Sequence, residues 1–587
     1  MPISTTWSRG SFIVGTVSRE YDNSFRITSR TVSDNATSTE VARFAYDDDD
    51  LLTSTKYDPD GIAGNGDEFE LGLIYDTVSE IANSTANGLL ETTEMYDNAS
   101  PPVKKITDDY LYNGFGEMEE YSASYLASER FKTVFERDKL GRITKKTETL
   151  NGSTNSTQYE YEYTYEVSPG VIKDAGRLQK VITTPVINDV PDTGNSTSVT
   201  YNYDANSNRL SNGAVYDNQD RLTSTSSATY TYTDNGELLT KTVGSDVTTY
   251  TYDVLGNLRN VDLPNTTDDI EYLIDGRNRR IGKKVGGTLE RQWLYKDQLN
   301  PIAELDGSGN ITKRFIYASR ANVPDVMVIP TGLTNAGVYR IISDHLGSPR
   351  FVIDTSSGNT VQALDYDEWG NLLSDTNPGF QPFGFAGGLY DEDTKLIRFG
   401  ARDYDPETGR WTSKDPIRFI GRSANFMSYA QNDPVNFRDL SGLFGNKRVP
   451  INHRYTDVHK RDFFVIEPDV GNDPIDDWIE DNIKVVGTHD IGVLNLETDE
   501  DGNVTKNINV IPTGRISSGA TIKVFRPNPG EKVVFSCSLS TPGAGIFGIG
   551  FDRTQNPNTG ETSFGSINIF LGGSFAFSPY NETIPLP

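Results

Sequence analysis

A tyrosine-aspartate pair followed by a glycine or asparagine turn keeps returning along this 587-residue chain. A phrase repeated at one-hairpin spacing confines the chain to an array of antiparallel β units. The clearest copy is Tyr252-Asp253-Val254-Leu255-Gly256-Asn257-Leu258. Before it, Tyr250-Thr251-Tyr252 alternates aromatic and Thr, the period of a strand with one covered face. Asp253 to Gly256 supplies the turn, since Asp bonds its own backbone and Gly accepts positive φ. Related copies begin at Tyr203, Tyr216 and Tyr232, and looser ones at Arg137 and Ile274. Degenerate units, with poorer turns, are expected at Tyr21-Asp22, Tyr46-Asp47, Tyr57-Asp58, Tyr75-Asp76 and Tyr112-Asn113. From Tyr159 to Glu166 four Tyr alternate with Glu or Thr, so one strand is expected with its rings on one face.

A repeat array needs no division into several domains, because each unit packs on its neighbours. The 35% hydrophobic fraction suits a wall one sheet thick with a wetted inner face better than a solid core. A net charge of −29 argues against a nucleic-acid-binding shell, which would need clustered Lys and Arg. Cys537 is alone, so intrachain disulfides are excluded and no cysteine-ligated metal or other cofactor is expected. The sequence has no run of eighteen apolar residues, and Met1 to Glu20 carries no secretion-signal core. If the protein is secreted or displayed at the cell surface, a non-classical route is therefore expected.

From Asp344 the phrasing changes. Asp344-His345-Leu346-Gly347-Ser348-Pro349-Arg350 is followed by Tyr366-Asp367-Glu368-Trp369-Gly370-Asn371 and by Phe383-Gly384-Phe385-Ala386-Gly387-Gly388. Then comes Arg398 to Ile417, which includes Arg402-Asp403-Tyr404-Asp405-Pro406-Glu407-Thr408-Gly409-Arg410-Trp411 and Lys414-Asp415-Pro416. The block closes on Asn432-Asp433-Pro434-Val435-Asn436-Phe437-Arg438-Asp439-Leu440-Ser441-Gly442-Leu443.

On these residues the chain resembles RHS/YD-repeat proteins, and 344–443 is similar to the RHS-repeat-associated core that ends their shells. The resemblance covers about three quarters of the chain. It implies a mostly β fold in which 1–343 forms a spiralling, hollow, cocoon-like shell of hairpins. The core 344–443 would plug it, and the variable segment 444–587 would be enclosed as a toxin or effector. Relatives include bacterial polymorphic toxins, the C component of Tc insecticidal toxins, and the teneurins. The partners implied are the chain's own tail as cargo, a secretion or injection system, a shell-closing protein and an immunity protein. The array starts at Met1 within what reads as a repeat, without the N-terminal plug of many relatives, so an open end sealed by a partner is expected. An uncleaved structural or surface protein with a non-enzymatic binding tail is the alternative.

In many bacterial relatives the core cuts its own chain just after a terminal Gly-Leu. Similarity carries the roles onto Arg402, Asp403 and Asp415, with the scissile bond at Leu443-Phe444. The chemistry is that of an aspartic-type autoprotease: one carboxyl keeps a proton while the other activates water. Asp403 and Asp415 flank a turn at Pro406 to Gly409, and a hairpin around it would bring them face to face, with Arg402 holding one ionised. Asp405 is the rival carboxylate, and ordinary turn chemistry is the competing explanation for all three. The family ends Asp-Pro-x-Gly-Leu, whereas this chain has Leu440 in the Pro position, a change expected to slow or abolish cutting.

Beyond Leu443 no YD unit occurs. Strands are expected at 483–486, 521–525, 532–535 and 566–571, and a helix at 474–483. His453 and His459 lie near Asp457 and Asp462 but match no metal-binding spacing.

Overall fold

The computed structural model describes residues 4–443, apart from 10–11, 35–38, 60–67, 76–87, 169–170, 175, 265–267 and 419–424, together with strand segments between 447 and 569. Two compact units are present, one of Pro2–Thr456 and one of Asp457–Pro587 together with Met1.

The first unit is built almost wholly of antiparallel strands joined in sequence order. Strands from Ser4–Arg9 to Ser156–Glu162, with Lys180–Ile187, Val190–Pro191 and Thr197–Thr200, form one sheet, and those from Val215–Tyr216 to Leu372–Asp375 form a second. The second sheet runs unbroken through residue 344, since Gly337–Ser343 pairs with Pro349–Asp354. Smaller hairpins follow, with Leu389–Tyr390, Ile397–Phe399, Arg402–Asp405 and Arg410–Trp411 in one short sheet.

A recurring set of contacts builds the repeats, complete where an Arg stands four residues after the Asp. The Asp accepts the backbone N–H groups two and four residues on: Asp138 from Leu140 and Arg142 at 2.9 and 3.0 Å, Asp275 from Arg277 and Arg279 at the same distances. An Arg at the fourth place returns Nε to the Asp, as Arg26 does to Asp22 and Arg221 to Asp217, each at 2.7 Å. That guanidinium lies over a Tyr of a following strand: Arg26 over Tyr46, Arg142 over Tyr163, Arg221 over Tyr232, Arg279 over Tyr295. The Tyr hydroxyl then donates to the carbonyl just after the Arg. The pairs are Tyr46 to Ile27, Tyr163 to Ile143, Tyr232 to Leu222 and Tyr295 to Arg280, at 2.6–3.0 Å. Tyr and Asp recur because one ends a strand where the other starts its turn, and each Tyr locks an earlier turn.

The Tyr-rich segment differs from expectation. Ser156–Glu162 stays in the first sheet, but the strand breaks at Tyr163 and Thr164–Ser168 pairs with Val171–Asp174 as its own hairpin. Gln179 takes the backbone contact at the break, its N–H bonding the Glu162 carbonyl at 2.7 Å.

The first sheet curls around the second. Arg314 pairs with Glu40, Arg340 with Asp108 and Arg350 with Glu148, all six buried. The three acids lie on strands seven steps apart in the first sheet, whereas the arginines lie on strands three steps apart in the second. At the usual inter-strand spacing these are about 34 Å and about 14 Å, so the face carrying the acids is concave. Ala42, Tyr57, Tyr121, Phe131 and Tyr161 of the first sheet share a core with Ile316, Val326, Val328, Ile342 and Phe351 of the second. The opposite face of the same second-sheet strands meets Phe380, Phe383 and Leu389, with Val17 and Val32 closing its edge.

In the second unit, strands occur at Ile483–Val486, Ala520–Val524, Val533–Phe535 and Ile567–Ile569, as the sequence predicts. Residues 474–482, the expected helix, and His453, His459 and His489 lie outside the described residues. No helix among the described residues is long and apolar enough to cross a membrane.

Candidate self-processing site in the core

The hairpin Ile397–Phe399 to Arg402–Asp405 turns through Gly400 and Ala401. The segment ending at Leu443 crosses this turn, and the Ala401 N–H donates to the Ser441 carbonyl at 2.8 Å. Close backbone approach requires two glycines at positive φ. A Cβ on Gly400 (φ +43) would sit 2.4 Å from the Ser441 oxygen, and one on Gly442 (φ +65) 2.4 Å from the Phe399 oxygen.

Alternation along Arg402–Asp405 decides where the expected site residues go. Arg402 and Tyr404 point to one face, Asp403 and Asp405 to the other. On the first face, the Arg402 guanidinium stacks over Trp411 at 4.1 Å, in an aromatic cluster with Phe399, Tyr404 and Tyr429. It donates from Nη2 to Asp415 at 2.9 Å and to Asp439 at 3.3 Å, from Nη1 to the Phe426 carbonyl, and from Nε to the Gly442 carbonyl. Asp439 Oδ1 in turn accepts from the Leu443 N–H at 3.1 Å and from Ser441 Oγ at 3.0 Å. The peptide unit joining Gly442 and Leu443 is therefore held at its oxygen by Arg402 and at its nitrogen by Asp439. Burial pushes the Asp415 carboxyl up to about 6, Arg402 opposes the shift and the neighbouring Asp439 adds to it.

Asp403 takes a different place from the one expected. It lies opposite Arg398 in the hairpin register, and Arg398 and Arg280 clamp its two oxygens at 2.8 and 2.7 Å. The hairpin forms as predicted, but strand alternation turns Asp403 from the Asp415 side; the second carboxylate beside Arg402 is Asp439. Its signal was its position four residues before Leu443, inside the closing motif. Asp405 keeps to turn duty, accepting the Glu407 N–H at 3.0 Å, and burial raises its carboxyl. Phe444 lies outside the described residues. Among the described residues no His, Cys, Asp and Glu group has a metal-holding arrangement.

A family model for the teneurin YD-shell matches residues 90–435. The chain belongs to the teneurin YD-shell family. Mouse teneurin-4 is 28% identical over 442 residues, 72% of this chain and 14% of teneurin-4. The chain thus spans about a seventh of that relative. The tRNA3(Ser)-specific nuclease WapA of Bacillus spizizenii is 27% identical over 260 residues, 42% of this chain and 10% of WapA. Among solved structures, the TcdB2-TccC3 complex with Cdc42 superposes at a TM-score of 0.44 and 16% identity, over 74% of this chain and 22% of that one. The family model thus spans the repeats from residue 90 and most of the block that begins at 344.

Proposed function

We propose that this YD shell processes itself, cutting after Leu443 to free residues 444–587 as an enclosed effector for delivery against a competing bacterium or a host. The observation that carries the reading is the Arg402 guanidinium bridging Asp415, Asp439 and the Gly442 carbonyl. With the Gly442–Leu443 peptide clamped, the next peptide is presented to the same two acids. Asp415, whose carboxyl burial raises to about 6, gives its proton to the Phe444 nitrogen. Asp439 takes a proton from water, whose oxygen adds to the Leu443 carbonyl carbon as the C–N bond breaks. Asp403 acts behind the site, fixing the strand that carries Arg402 through Arg280 and Arg398. The nuclease activity in the name of WapA, a relative over part of the array, supports a toxic cargo.

The test is intact-mass analysis of the purified full chain beside Asp415→Asn and Asp439→Asn. Fragments meeting at Leu443 in the wild type, with both variants whole, support the reading. An intact wild-type chain would sink it, and Leu440→Pro then separates a slowed site from an absent one. Export from the cell and closure by a partner protein complete the proposal.

A further inference from the structure

Buried arginines in this shell usually meet acids. Arg280, Arg314, Arg340, Arg350, Arg398 and Arg402 each form an ion pair. Two do not. Arg320 and Arg438, 6% and 7% exposed, form no ion pair among the described residues. Both grip the turn that begins at Asp344: Arg320 Nη1 donates to the Asp344 carbonyl, and Arg438 Nη1 to the Leu346 carbonyl at 2.6 Å. Asn322 joins them, its Oδ1 accepting from Arg438 at 3.2 Å and its Nδ2 bonding the Leu346 and Ala386 carbonyls. The nearby Asp344 carboxylate is engaged elsewhere, its Oδ1 taking the N–H groups of Leu346, Gly347 and Ser348 at 2.8–2.9 Å. Arg320 Nη2 is buried with no hydrogen-bond partner in the protein.

Two like charges brought out of water beside one turn cost several kcal/mol unless a counter-charge joins them. Burial and the Arg320 charge push the Arg438 guanidinium down to about 10, and Tyr429 and the Asp344 carboxylate only partly offset them. We propose that Arg320 and Arg438 hold a small inorganic anion, of chloride size, as a resident structural ligand beside the Asp344 turn. All four side chains that border it, Arg320, Arg438, Asn322 and Asp344, are under a tenth exposed, which excludes a bulky ligand. The site lies next to Asp439 in sequence and ties the closing motif to the second sheet.

The experiment titrates potassium chloride against potassium gluconate at matched ionic strength, following the melting of the full chain, and soaks crystals in bromide. A saturable rise of a few degrees in chloride, and an anomalous bromide peak between the two guanidinium groups, are expected. Arg438→Gln and Arg320→Gln separate the explanations even if chloride is too tight to remove. With a bound anion, each variant melts lower than wild type and loses the chloride response. If the charges are uncompensated, removing one raises the melting temperature in both salts. That result, or equal melting in the two salts with no bromide peak, overturns the proposal.

Discussion

Arg350 and Glu148, 202 residues apart in sequence, meet across the two sheets with the Arg350 Nη1 2.8 and 2.9 Å from the Glu148 oxygens. Lys146 adds a second cation at 2.9 Å, and both sheets keep the group dry. Arg350→Met leaves the acid with one partner, and a loss of about 3 kcal/mol is expected in urea unfolding. A loss under about 1 kcal/mol would show the pair to be ornamental.

Acid should find the same pair. Burial alone would raise the Glu148 carboxyl, but Arg350 and Lys146 outweigh it and hold the group at about 2, below its ordinary 4.5. A depressed carboxylate contributes stability that is present above the unfolded value and lost as pH falls toward the folded one. Stability should therefore decline between about pH 4.5 and 2 in the wild type, and Glu148→Gln should flatten that part of the curve.

Asp415 has the opposite sign. Its raised carboxyl contributes stability present below the ordinary 3.8 and lost as pH rises through about 6. If it is the proton donor, processing on refolding from denaturant should be faster at pH 5 than at pH 8. A rate that climbs across this range would assign the donor elsewhere.

Gly442→Ala forces a Cβ against the Phe399 oxygen and the Arg402 nitrogen at 2.4 and 2.8 Å. The terminal strand must lift off the hairpin, so cleavage should fall at least tenfold, about 1.4 kcal/mol in barrier terms, while the repeats keep their strand signal by circular dichroism.

Tyr163→Phe tests the repeat law. Its hydroxyl donates to the Ile143 carbonyl and accepts from Asn436 Nδ2, both at 2.7 Å. Loss of both bonds in a buried site should cost about 1–3 kcal/mol. Tyr46→Phe, at a partly exposed position where the hydroxyl donates to the Ile27 carbonyl, should cost less.

The array was legible in the sequence because its turns are local. Asp138, Asp217, Asp253 and Asp275 close their loops with atoms four residues away, so pattern and geometry coincide. That Arg402 would hold a carboxylate beside this hairpin was legible too. Asp439 was not, because its place depends on a strand crossing a Gly-Ala turn forty residues earlier in the chain. Nor was the pairing of the two sheets visible: the low apolar fraction suggested a wall one sheet thick, and Tyr rings and paired arginines join the facing strands.

The repeats could be lengthened or shortened freely if neighbours were all that mattered. The curled sheet forbids it. Arg314, Arg340 and Arg350 act as three marks on a rule against which the seven strand steps from Glu40 to Glu148 are measured. Removing one hairpin between them would keep every Tyr-Asp lock intact and still leave an acid misaligned, so repeat number in this stretch is a quantity the chain itself audits when it folds.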